Sequence, residues 1–159
     1  MLLDTQQQEQ YKILLIGELC SDEYVFGNCE RISPEAPVPI LKEKRRETRD
    51  GMSGNVYNNI ISMAGKRKVE IKRFQNPASN IRKIRFIDRK SNYQILRHDI
   101  ENHVTPLDLD SLPLKERFDA IVISDYNKGF LSNEAILKIT KNMSCDKIFV
   151  DTKRKNLVA

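Results

Sequence analysis

The sequence predicts an α/β fold built on a parallel sheet with flanking helices, from which a small second sheet protrudes. Three observations point there. Lys12–Gly17 (KILLIG), Ala120–Ser124 (AIVIS) and Lys147–Val150 (KIFV) are short aliphatic runs closed by a glycine or a polar residue, the pattern of strands buried on both faces. Two segments carry residues recurring at helical spacing: Val56, Asn59, Ile60 and Met63 in the first, Ile136, Leu137 and Ile139 in the second. The stretch from Glu18 to Glu43 contains Gly27, Asn28, Pro34, Pro37 and Pro39, which exclude a long helix or a central strand and leave an exposed edge sheet.

Composition bounds the rest. The 159 residues carry 27 Lys plus Arg against 22 Asp plus Glu, a net charge of +5, with 40% hydrophobic and 31% charged residues, which fits one globular domain and argues against disorder. No aliphatic run approaches the roughly 20 residues of a membrane-spanning helix, so no membrane partner is expected. MLLDTQQQEQ lacks a basic start and an apolar stretch, so residues 1–10 read as a polar lead-in and the expected location is cytoplasmic. Cys20, Cys29 and Cys145 are odd in number and widely spaced, and His98 and His103 have no partner at ligand spacing. No metal site is assigned to them.

In chain order, Lys12–Gly17 is the first central strand. Val38 and Ile40, with the alternating charges after them, form an arm of the small sheet, and Arg45–Asp50 forms the second arm. Gly51, Ser53 and Gly54 then make a small-residue loop feeding a helix that Gly65 stops. Free N–H groups at such a helix start can approach a hydroxyl or an anion. Lys66–Arg97 holds eleven Lys or Arg against Glu70 and Asp88 alone, with Ile84, Phe86 and Ile95 marking paired strands around a turn at Ser91-Asn92. It reads as a solvated strand face; nucleic acid is not an expected partner, because aromatic residues are sparse there. A short helix near Leu114–Phe118 precedes the strand Ala120–Ser124. Leu131–Asn142 forms a helix with Ser132 or Asn133 as N-cap, and Lys147–Val150 is a third buried strand. Strand, helix, strand is the crossover unit of a parallel sheet, whose strand ends present Asp125 and Asp151 to a ligand.

Four segments in order, GELCSDEYVFGNCERISPEAPVPI, RDGMSGNVYNNI, VISDYNKGFLS and FVDTKRKN, resemble the ribokinase-like (PfkB) carbohydrate kinases, most closely the heptose 7-phosphate kinase domain of bifunctional ADP-heptose synthases. RISPEAPVP is the most specific of these matches. The resemblance implies a partial ribokinase-like fold over residues 11–159, with residues 28–50 as a β-clasp that serves as lid and dimer interface. It implies sugar-phosphate binding by Asp22, by Gly51, Gly54 and Asn55 of the small-residue loop, and by Asp125 and Lys128 at the strand end. ATP and Mg2+ are the family's cofactors. The implied role is phosphorylation of heptose 7-phosphate in the supply of ADP-heptose for lipopolysaccharide. The implied partners are a second copy, through the clasp, or a complementary kinase half.

Departures from the family pattern are specific. Glu18 stands where the family has Asp, and Met52 stands where it has glycine. One crossover unit is reduced to KRKVEIKRF. None of the glycines, at 17, 27, 51, 54, 65 and 129, begins the GxGD motif that carries the family's catalytic base. The expectation is therefore a truncated kinase relative that is inactive alone and has no catalytic residue in this chain. The alternative is a non-catalytic sugar-phosphate-binding or dimerisation module that partners a complete kinase.

Overall fold

The computed structural model describes residues 10–155, so the expected lead-in lies outside the described residues except for Gln10. The chain divides into two units. Among the described residues, the first comprises 10–18, 52–76 and 104–155; the second comprises 19–51 and 77–103.

In the first unit, β1 (Gln10–Gly17), β4 (Lys68–Gln75), β7 (Arg117–Asp125) and β8 (Ser144–Thr152) form a sheet in the order β4-β1-β7-β8. Its strand pairs are all parallel. Leu14, Leu15 and Ile16 on β1 and Ile121 and Ile123 on β7 are fully buried. That is the environment the unbroken aliphatic runs require, because the middle strands of a parallel sheet are covered on both faces. The helix α1 (Ser53–Ala64) leads into β4 and ends at Gly65, whose φ of 59° is the left-handed conformation glycine adopts without strain. The helix α2 (Asn133–Asn142) connects β7 to β8 and buries Ala135, Ile136 and Ile139. Ser132 is its N-cap, its Oγ accepting the Ala135 N–H at 3.0 Å. The unit is an α/β layer structure.

Two expectations are corrected here. No helix forms at Leu114–Phe118: a 3-10 turn at Leu109–Ser111 is followed by β7, which already begins at Arg117. The pull of the core decides this, since Phe118 is 1% exposed between the exposed Arg117 and Asp119. Lys147–Val150 lies in a strand but is not buried. β8 is an edge strand whose Phe149 is 55% exposed, so an apolar run there reports strand and not depth.

In the second unit, β2 (Leu19–Ile32), β3 (Pro39–Met52), β5 (Ile81–Asp88) and β6 (Gln94–Glu101) form a sheet in the order β3-β2-β5-β6. β5 and β6 pair antiparallel around the turn expected at Ser91-Asn92, and Asn92 takes the left-handed conformation. The segment expected to hold only edge structure contains β2, a 14-residue strand flanked on both sides, with Cys20, Glu23 and Val25 buried. Prolines 34, 37 and 39 fall outside β2 or at the first residue of β3, so they constrain only the connection.

Glu23 links three strands. Its Oε1 accepts Arg82 Nε at 2.6 Å and its Oε2 accepts Arg46 Nη1 at 3.0 Å. The Arg82 hydrogen bond, opposed by burial, holds the Glu23 carboxyl below the usual glutamate range. A carboxyl whose folded pKa is depressed stabilises fully above its unfolded value and loses that contribution as pH falls below about 4.3. Urea midpoints measured at about pH 7, 5 and 3.5 are expected to drop across the last interval. Glu23→Gln should flatten that drop; an unchanged pH dependence would remove Glu23 from the account.

Candidate functional site

In the first unit, the connection from β1 leads to β4 on one side and the connection from β7 leads to β8 on the other. The strand order therefore reverses between β1 and β7, and ligands of open α/β sheets bind at the carboxyl ends beside such a point. Gly17–Glu18 and Ser124–Asp125 end those two strands. A Cβ on Gly17 would run into the Ser124 carbonyl, so only glycine lets the two backbones approach there. Glu18 N–H donates to the Ser124 carbonyl at 3.3 Å.

Glu18 organises this end of the sheet. It is fully buried, and its carboxylate accepts three backbone N–H groups: Tyr126 at 2.7 Å, Lys128 at 3.1 Å and Phe130 at 3.3 Å. Its carbonyl receives the Ser53 N–H at 2.9 Å and the Ser53 hydroxyl at 2.6 Å. One residue thus fixes both the start of α1 and the loop after β7. Sequence reasoning marked Glu18 only as a departure; its longer side chain is what reaches Lys128 and Phe130.

Asp125, 1% exposed, is held from several directions. Its Oδ2 accepts the Thr152 hydroxyl at 2.6 Å and Arg154 Nε at 2.7 Å, and its Oδ1 accepts the Asn127 N–H at 2.9 Å. Arg154 also donates to the Leu131 carbonyl. Arg154 has no counterpart among the sequence-derived candidates, although FVDTKRKN contains it. Ser124 Oγ is buried and, among the described residues, has no hydrogen-bond partner. A groove of about 540 Å³ at the amino ends of the strands, lined by Ile13, Ile60, Val69 and Ala120 among others, lies away from these groups.

Gly54 is buried in the first turn of α1, Asn55 follows it, and Lys128 stands in the Glu18-anchored loop. Met52, just before the helix, has φ 54° and ψ −124° and is 5% exposed. That backbone suits glycine, and a larger residue there stores about 1–3 kcal/mol of strain. Replacing Met52 by alanine keeps the strain and loses the buried side chain, an expected cost of about 2–5 kcal/mol. Met52→Gly releases the strain and should melt at a higher temperature than Met52→Ala, the reverse of the usual order; equal melting temperatures would contradict the strain.

Asp22 and Gly51 belong to the second unit. Asp22 Oδ1 accepts Arg85 Nη1 at 2.7 Å. A Cβ on Gly51 would collide with the Asp22 carboxylate, so the glycine clears space beside it. Cys20 lies on the same side, its thiol pushed up to about 11 chiefly by burial, which leaves it protonated and unreactive. Cys20, Cys29 and Cys145 are free thiols. No described helix is long and apolar enough to cross a membrane.

No family model matches the chain. It is 35% identical to the bifunctional protein HldE of Sulfurimonas denitrificans, over 89% of this chain and 36% of that protein. It is 37% identical to the bifunctional protein HldE of Helicobacter acinonychis, over 83% of this chain and 34% of that protein. The chain thus spans about a third of the length of these relatives. Among solved structures it is similar to phosphofructokinase-2 from Escherichia coli in complex with fructose-6-phosphate, with a TM-score of 0.46, 11% identity, and coverage of 91% of this chain and 55% of that one. It is also similar to ribokinase from Thermotoga maritima, with a TM-score of 0.45, 13% identity, and coverage of 87% and 52%.

Proposed function

We propose that this chain is the sugar-binding portion of a PfkB-type carbohydrate kinase that takes heptose 7-phosphate toward ADP-heptose. The observation that supports this reading is identity of 35–37% to bifunctional HldE proteins across most of the chain. The reading assigns Gly54, Asn55, Asp125 and Lys128 in the first unit, and Asp22 and Gly51 in the second, to substrate binding. In this reading residues 28–50 of the second unit form the clasp.

A sugar is held by carboxylates and amides that match its hydroxyls, and those groups must be preorganised. Asp22 offers a carboxylate that packs directly against Gly51, where any side chain would collide with it. The Asn55 side chain stands at the start of α1. Asp125 works through the backbone: tied to Thr152 and Arg154, it fixes the Asn127 N–H and so the approach to Lys128.

ATP and Mg2+ would supply the phosphoryl group and its charge neutralisation. The described residues contain no cluster of three or more His, Cys, Asp or Glu side chains arranged for a metal ion, and the sequence has no GxGD. These residues do not fit the nucleotide and metal. This polypeptide alone is expected to bind sugar phosphate without transferring phosphate.

The alternative, a module that partners a complete kinase or a second copy through the clasp, draws on the second unit's exposed Ile32 (60%), Val38 (51%) and Leu96 (56%). Titration calorimetry of the chain with D-glycero-D-manno-heptose 7-phosphate, with ADP release on added ATP and magnesium followed in parallel, separates the cases. Binding without ADP release is the expected result. Sugar-dependent ADP release would overturn the assignment of inactivity, and absence of binding would leave the partner-module reading.

A further inference from the structure

One face of the second unit's sheet carries an arrangement of charge that the solvated-face reading of Lys66–Arg97 does not explain. Asp22 pairs in register with Lys83, and Tyr24 with Arg85, across β2 and β5. Lys83 pairs with Asp99, and Arg85 with Arg97, across β5 and β6. Directly opposed residues on neighbouring strands share a face, so Asp22, Lys83, Arg85, Arg97 and Asp99 form one patch next to Tyr24. Arg82 and Glu23 belong to the other face.

Two arginines directly opposite each other are unfavourable unless acids or a bound anion lie between them. The acids present answer this in part. Asp22 takes one Arg85 N–H, at 2.7 Å. Asp99 takes Arg97 through Nε at 2.7 Å and Nη2 at 2.6 Å. Glu101 lies on the same face, two residues beyond Asp99, and its charge also acts on Arg97, so three carboxylates stand among the three cations; a guanidinium still has five N–H donors, more than these contacts use on Arg85. The Arg85 guanidinium also lies 5.1 Å from the Tyr24 ring centre, with that of Arg49 at 5.4 Å, so the ring keeps both side chains close to the sheet. Arg85 and Arg97 side chains remain 21% and 46% exposed.

We propose that Arg85 and Arg97, with Lys83 beside them, hold the phosphate of the sugar phosphate while Asp22 in the same patch takes a sugar hydroxyl. This rests on the sugar-phosphate reading and deepens it by naming the groups that distinguish a phosphorylated sugar from a free one. A phosphomonoester dianion accepts paired N–H bonds from a guanidinium, and it competes with Asp99 for Arg97. Removing the Asp99 charge should therefore strengthen binding, whereas a merely structural Arg97–Asp99 pair predicts no gain.

The test titrates the full chain with D-glycero-D-manno-heptose 7-phosphate, the unphosphorylated heptose, inorganic phosphate and a single-stranded oligonucleotide. Arginine Nε–H resonances are followed by NMR, and far-UV circular dichroism confirms folding of each variant. Heptose 7-phosphate is expected to move the Arg85 and Arg97 signals and to bind at least about tenfold more tightly than heptose. Arg97→Ala should abolish that preference while leaving heptose affinity in place, and Asp99→Asn should raise heptose 7-phosphate affinity about threefold. Unchanged affinity in Arg97→Ala, or weaker binding in Asp99→Asn, overturns the phosphate site and leaves the sugar reading standing. Arg97-dependent binding of inorganic phosphate with no contribution from the sugar supports the anion site and overturns the sugar reading. Tighter binding of the oligonucleotide than of heptose 7-phosphate, or binding of no anion, overturns the proposal.

Discussion

Glu18→Ala is expected to destabilise the first unit by about 3–5 kcal/mol in a chemical-denaturation experiment, because it removes a fully buried carboxylate on which three backbone N–H donors converge. The donors belong to Tyr126, Lys128 and Phe130. Each buried donor left without an acceptor costs about 1–3 kcal/mol, partly recovered when water enters. Glu18→Gln tests charge apart from shape. Its amide oxygen can still accept, but its NH2 group faces N–H donors, so a loss of about 2–4 kcal/mol is expected. Glu18→Asp keeps the charge but falls short of the loop. Glu18→Gln as stable as the original chain would show that the carboxylate charge is dispensable.

The second large effect is expected at Asp125. The Arg154 side chain is 16% exposed and the Asp125 side chain is fully buried, so Asp125→Ala leaves a nearly buried cation without its counterion. Breaking a buried pair from one side costs about 3–5 kcal/mol, and Arg154→Met should cost a similar amount from the other. The double variant should be less destabilised than the sum of the two, by about 1–3 kcal/mol, because it removes the uncompensated charge along with the pair. Strict additivity would mean that the two side chains are not energetically coupled despite their 2.7 Å contact. Asp125 was marked from the sequence as a ligand residue at a strand end. Its engagement with Thr152 and Arg154 shows how such a carboxylate can also tie two strand ends together.

Much of the fold was readable from pattern alone. KILLIG and AIVIS are central strands because no polar residue interrupts them, and the spacing of Ile136 and Ile139 with Ser132 as cap marks α2. The failures share one cause. KIFV has the composition of a covered strand but lies at the edge, and Phe118 belongs to a strand where local spacing suggested a helix, because both depend on what lies next to them in space. β2 was obscured by Gly27 and Asn28 and by the prolines after it, local signals outweighed by pairing with β3 and β5.

The sequence by itself determined the α/β class, the order of the main elements and the turn at Ser91-Asn92. Those are properties of short windows, where hydrophobic period, turn residues and caps act locally. Only the tertiary structure decided that Glu18 anchors the loop after β7, that Arg154 closes on Asp125, and that Arg85 stands opposite Arg97. Glu18 and Phe130 are 112 positions apart in the chain, and Asp125 and Arg154 are 29 apart. Such partners are chosen by strand order and register, which the long-range pairing of the sheet sets and no local window contains.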